Sequence, residues 1–77
     1  MKISVKFQCS SVTKRCWDKA KNTFVFDVVF HPVLMNSEEN EKFFAATPAG
    51  QIQLATVRGD HFVPGTLYYM DLWEAAE

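Results

Sequence analysis

Cysteine is scarce in this chain. Of 77 residues only Cys9 and Cys16 are cysteines, too few for the disulfide framework that holds small secreted domains together. On one unbroken extended segment, their seven-residue separation at about 3.3 Å per residue would place them about 23 Å apart and on opposite faces. A disulfide tolerates a Cα separation of only about 7 Å, so two free thiols are expected, Cys9 as a small core residue and Cys16 near an edge. No Cys-x-x-Cys or His-x-x-x-His spacing recruits His31 or His61, so no metal site and no cofactor are expected. Glycine and proline number three each, and no glycine-rich phosphate loop is among them. Long apolar runs are missing as well. The longest, Val28 to Met35, is broken by His31 and Pro32 and falls well short of the roughly 18 residues of a membrane span. The first residues, Met1-Lys2-Ile3-Ser4-Val5-Lys6, alternate where a secretory signal needs continuity; they are expected to belong to the fold, and the protein to be cytoplasmic.

What is present is apolar content. The chain is 48% hydrophobic and 14% aromatic with a net charge of -1, far from the signature of disorder. One domain covering residues 1–77 is expected, burying roughly 60% of the surface its unfolded chain exposes. Ile3, Val5, Phe7 and Cys9 alternate with Lys2, Ser4, Lys6 and Gln8, the period-2 pattern of a half-buried strand. Val12 to Trp17 extends that strand, and Ser10-Ser11 is a candidate bulge. Asp18 to Asn22 reads as a turn. A second strand sets Phe24, Phe26, Val28 and Phe30 on one face and pairs with the first as a hairpin, until Pro32 ends it. Asn36-Ser37-Glu38-Glu39 is a helix start, with Asn36 or Ser37 as cap, and predicts a short helix over 38–46 whose Phe43 and Phe44 anchor it to the sheet. After a turn at Thr47-Pro48-Ala49-Gly50, residues 51–57 alternate again. Val63-Pro64-Gly65-Thr66 has the Pro-Gly pair of a type II turn, and Leu67 to Trp73 forms the last strand. Neither face of that strand is polar: Tyr68, Met70 and Leu72 lie on one side, Leu67, Tyr69, Asp71 and Trp73 on the other. The expected fold is therefore mostly β in the order β-β-α-β-β, a small antiparallel sheet of four or five strands that either curls into a barrel or is covered by a second subunit.

Catalytic chemistry has little to work with. Ser10-Ser11 offers a nucleophile and His31 or His61 a base, but no Gly-x-Ser-x-Gly elbow occurs. The acids Glu38, Glu39 and Glu41 read as a solvated helical face, so no enzyme is expected. Arg58-Gly59-Asp60 matches an integrin-binding tripeptide and equally suits a loop; it is read as a turn. Charge is uneven. Residues 1–21 carry Lys2, Lys6, Lys14, Arg15, Lys19 and Lys21 against Asp18, a net of +5, and the remainder carries -6. On an unbroken strand Lys2, Lys6 and Lys14 share a face, with Trp17 at the hairpin tip, a surface that could follow a phosphate backbone and stack a base. Lysines on exposed strands also deter edge-to-edge association, and the chain as a whole is mildly acidic, unlike most nucleic-acid binders.

Ser37-Glu38-Glu39-Asn40, Phe43-Phe44, Ala46-Thr47-Pro48-Ala49-Gly50, Ile52, Leu54, Phe62-Val63-Pro64-Gly65, Tyr68-Tyr69 and Asp71 together resemble short proteins encoded by bacteriophages and prophages. The resemblance runs from about Lys2 to Trp73 and implies expression inside an infected or lysogenic bacterium. It carries no activity and no functional residue across. The expected function is that of a non-enzymatic binding module acting through a protein-protein surface, with Leu67, Tyr69 and Trp73 as its interface with a protein partner or with another copy of the chain. The alternatives are single-stranded nucleic-acid binding through Lys2, Lys6, Lys14, Arg15, Trp17, Lys19 and Lys21, or a minor structural role in a virion.

Overall fold

The computed structural model describes residues 2–34, 37–44 and 49–76. The elements run β1 (Lys2–Asp18), β2 (Thr23–Pro32), α1 (Glu38–Phe43), β3 (Ile52–Thr56), a 3-10 turn (Gly59–His61) and β4 (Leu67–Trp73). All pairings are antiparallel, in one four-stranded sheet of order β3-β2-β1-β4. The sheet is open and does not close into a barrel.

β1 is the spine. Its first half pairs with β4, from Lys2 opposite Trp73 to Gln8 opposite Leu67, and from Phe7 onward it pairs with β2. Two bulges interrupt that second pairing, at Ser10 and at Trp17. The first has a large consequence, because one extra residue exchanges the two faces of everything beyond it. Val5, Phe7 and Cys9 face the core before the bulge; after it Val12, Lys14 and Cys16 lie on that same side, opposite Val28, Phe26 and Phe24. The two cysteines therefore share a face, contrary to the expectation for an unbroken strand. Cys9 is buried and Cys16 exposed, and both are free thiols. The hairpin closes through Lys19 to Asn22: the Asp18 carboxylate accepts from the amides of Ala20 and Lys21 at 3.0 and 3.3 Å, and Asn22 takes the left-handed conformation, φ 53°, which asparagine tolerates.

The core is one-sided. Val5, Phe7, Cys9, Val28 and Phe30 are its buried apolar residues, with Ile3, Val12, Phe44, Ile52, Phe62, Tyr68 and Met70 packed around them. Phe62, just after the 3-10 turn, stands edge-on to Phe30 and Tyr68, at 5.2 and 5.4 Å between ring centroids. The following Val63 to Thr66 segment forms the expected turn, with Thr66 N–H donating to Val63 O at 3.1 Å and Gly65 at φ 90°, the left-handed value a type II turn requires at its third residue.

The helix is tied in by a buried side chain. Ser37 caps it, accepting from Asn40 N–H at 3.3 Å; the helix ends at Phe43 and does not run on as expected, because Phe44 is extended backbone at φ -85° and ψ 147°, while Asn36, residues 45–46 and the Thr47-Pro48 half of the following turn lie outside the described residues. Phe44 packs on the core as expected, while Phe43 is exposed. Beyond Pro32, which has no N–H to give, the ladder on β1 is completed by Asn40. Its Oδ1 accepts from Lys6 N–H at 2.7 Å, and its Nδ2 donates to Lys6 O and Val33 O at 2.7 and 2.8 Å. The amide thus acts as a peptide group in the position β2 vacates, with both of its N–H donors and its oxygen bonded to backbone.

Candidate interaction surface

The bulge at Ser10 decides which basic residues share a surface. Lys2 and Lys6 lie on the face away from the core, and Arg15, not Lys14, joins them there. The expected common face of Lys2, Lys6 and Lys14 is overturned by this shift in register. Lys14 lies on the core side, its ammonium 4.3 Å from the Phe24 ring centroid. Several of the charges are engaged within the fold. Arg15 grips Asp27 through two nitrogens, at 2.8 and 3.2 Å, and lies 5.8 Å from the centroid of Trp17. Lys2 pairs with Asp71 at 3.4 Å, and Lys6 stands over Tyr69 at 5.4 Å. Arg15 lowers the pKa of Asp27; the Ser4 hydroxyl, with help from Lys2, lowers that of Asp71. Lys19 and Lys21 occupy the hairpin loop beside Trp17, which is 69% exposed. The seven residues therefore form two faces and a tip, not one continuous basic track.

β4 gathers what the basic set does not. It lies at one end of the sheet, and among the described residues nothing pairs with its outer edge. Leu67, Tyr69 and Trp73 are 51%, 59% and 67% exposed on the face away from the core, and Leu72 on the core side is 56% exposed. The Tyr69 hydroxyl donates to the Glu39 carboxylate at 3.2 Å, which spans the strand to the helix across Lys6. Leu72, on the face of Tyr68 and Met70, adds to the exposed apolar residues of the strand beyond Leu67, Tyr69 and Trp73.

The structure does bring one candidate dyad together. Ser10, the bulged residue, hydrogen-bonds through its hydroxyl to His31 Nδ1 on the exposed face. Ser10 and His31 are both exposed, so the pair stands in solvent. In Arg58-Gly59-Asp60 the arginine and aspartate bind each other at 2.9 and 3.1 Å, and Gly59 lies so close to the Phe26 ring that a Cβ there would approach it to 2.4 Å. The segment is a packed turn. Compared with known proteins, the chain matches no family model, no curated protein and no solved structure.

Proposed function

We propose that the chain is a non-enzymatic binding module of phage type that acts through a protein-protein surface on β4. The observation that carries the reading is the exposure of Leu67, Tyr69, Leu72 and Trp73 on one edge strand. Large apolar groups gathered on one edge mark interaction sites in a way that scattered ones do not, and aromatic residues are the usual anchors of such sites. The nucleic-acid reading fares worse on the same geometry, since two of its six cations are held by carboxylates and the others divide between opposite faces and the hairpin loop.

A photo-crosslinking residue replacing Trp73, in protein produced in bacteria, tests this. Discrete cross-linked species are expected from that position and none from the same residue replacing Lys21 in the hairpin loop. No discrete adduct of any kind from position 73 overturns the proposal.

A further inference from the structure

Among the described residues the sheet leaves several stretches of strand edge open, and they are not equally defended. β3 has five residues, a short edge. The outer edge of β1 past Cys9 carries two bulges with Lys14 and Arg15 between them. Bulges, charges and shortness are the devices by which edge strands avoid pairing with other chains. β4 is neither short nor bulged. It runs seven residues, Leu67 to Trp73, with no proline, lysine or arginine, and its single charge, Asp71, is already engaged by Lys2 and Ser4 of its own sheet.

The hydrogen-bond phase of β4 says which groups face outward. Cys9 N–H donates to Thr66 O at 3.0 Å, whereas Lys6 directs its N–H to Asn40 on the other side of β1. Antiparallel alternation then turns the backbone groups of Tyr68, Met70 and Leu72 toward β1, and those of Leu67, Tyr69, Asp71 and Trp73 outward. This pattern is self-complementary. With two copies antiparallel and Met70 facing Met70 on the twofold axis, Leu67 meets Trp73 and Tyr69 meets Asp71, so that every outward residue finds an outward residue. About eight backbone hydrogen bonds result, and the apolar faces of the two sheets fall on the same side. Sliding the copies by two residues one way places Asp71 against Asp71, a like-charge pair that destabilises a ladder.

Resting on the reading of β4 as a binding surface, we infer that its occupant is a second copy of this chain, joined edge to edge through β4 about a twofold axis at Met70 into one eight-stranded sheet. An isologous C2 contact of this kind closes on itself and leaves no repeating edge for further growth. Leu67 and Trp73 meet across it on one face and Tyr68 and Leu72 on the other, which accounts for exposed apolar residues on both sides of the strand.

Light scattering over a wide concentration range should return twice the 8.8 kDa chain mass, and Leu67→Lys with Trp73→Lys should return the monomer. In a Cys16→Ser background, Met70→Cys should give a disulfide-linked dimer under mild oxidation that a thiol reductant reverses. Two residues in a non-hydrogen-bonded pair lie about 4.5 Å apart at Cα, within disulfide reach, whereas Leu72→Cys is displaced about 13 Å from its symmetry mate and should form no disulfide-linked dimer. A monomer mass for the unmodified chain at all concentrations overturns the second copy as occupant. If position 73 then still cross-links to other proteins, the binding surface stands with a foreign strand on it; no adducts at all overturns both. Cross-linking by Leu72→Cys and not by Met70→Cys overturns the register.

Discussion

Asn40 is 1% exposed, and its side chain does what a strand residue would otherwise do. Asn40→Ala leaves the part-buried Lys6 N–H and Val33 O without their partner, at up to about 1 to 3 kcal/mol for each unsatisfied group. We expect a loss of about 2 to 4 kcal/mol, read as a melting temperature about 10 to 20 °C lower for a domain of this size. A shift under about 3 °C would mean that water replaces the amide without cost. Asn40→Asp should be at least as damaging at neutral pH, because a carboxylate accepts only and would face two carbonyls. Nothing in the sequence marked this residue. A polar side chain in the first turn of a helix carries no periodic signal, and its partners lie 34 residues away on β1. Alternation places Phe26 on the core side, but it is only half-buried and stands outside the buried cluster, so Phe26→Ala should cost less than the roughly 3 to 5 kcal/mol of a fully buried phenylalanine in a denaturant titration. Its contact with Gly59 was not legible: a Cβ at Gly59 would enter the Phe26 ring, so Gly59→Ala should destabilise by more than the few tenths of a kcal/mol typical of a surface change.

For the elements, alternation was a sound guide wherever pairing was continuous. It placed β4 at Leu67–Trp73 and the faces of β2 as they stand. It failed past Ser10, where the paired serines hinted at a bulge but the face exchange follows only from the partner strand. The bulge makes a sharp comparison available. Ser10→Ala removes a hydroxyl from an exposed contact with His31 and should change stability by about 0.5 kcal/mol or less. Deleting Ser10 should remove the bulge and make the ladder regular, with Cys9 still opposite Phe30, Ser11 opposite Val29 and Val12 opposite Val28, so that no face is exchanged. Amide exchange across Val12 to Cys16 should therefore keep its pattern in both variants. A strong rise in the deletion alone would show that the strand past Ser10 has left its partners and that Ser10 is not the extra residue.

The molecule as a whole is thin and extended. It measures 47 × 33 × 18 Å with a radius of gyration of 14.9 Å, where a compact chain of this length would have about 11.5 Å. The β1–β2 hairpin projects past β4, and the five buried apolar residues lie at its base. No local pattern distinguishes this open sheet from a barrel, because closure depends on whether β3 and β4 meet, and those strands lie at opposite ends of the order. A small core makes exposed electrostatics visible in stability. Asp27, Asp71, Asp60 and Glu39 all have pKa values lowered: Asp27 and Asp60 by arginine side chains, Asp71 by Ser4, and Glu39 by its own backbone N–H and by Ser37. A lowered carboxylate pKa contributes stability above its unfolded value and loses it as pH falls through the folded one. Melting temperature should therefore hold between about pH 7 and 5 and decline below about pH 4, with the decline reduced at high salt. A maximum near pH 4 would contradict it.

The six residues of α1 are too few to persist as a helix in water by themselves, and the amide of Asn40 fastens them to the sheet. Lys6 N–H is thereby protected by a side chain of the helix, whereas its neighbours on β1 are protected by strands. Its exchange rate with solvent deuterium reports the helix lifting away, separately from the opening of the sheet. In the intact protein Lys6 should exchange faster than Val5 and Phe7 on either side, by the factor that measures how often the helix is undocked.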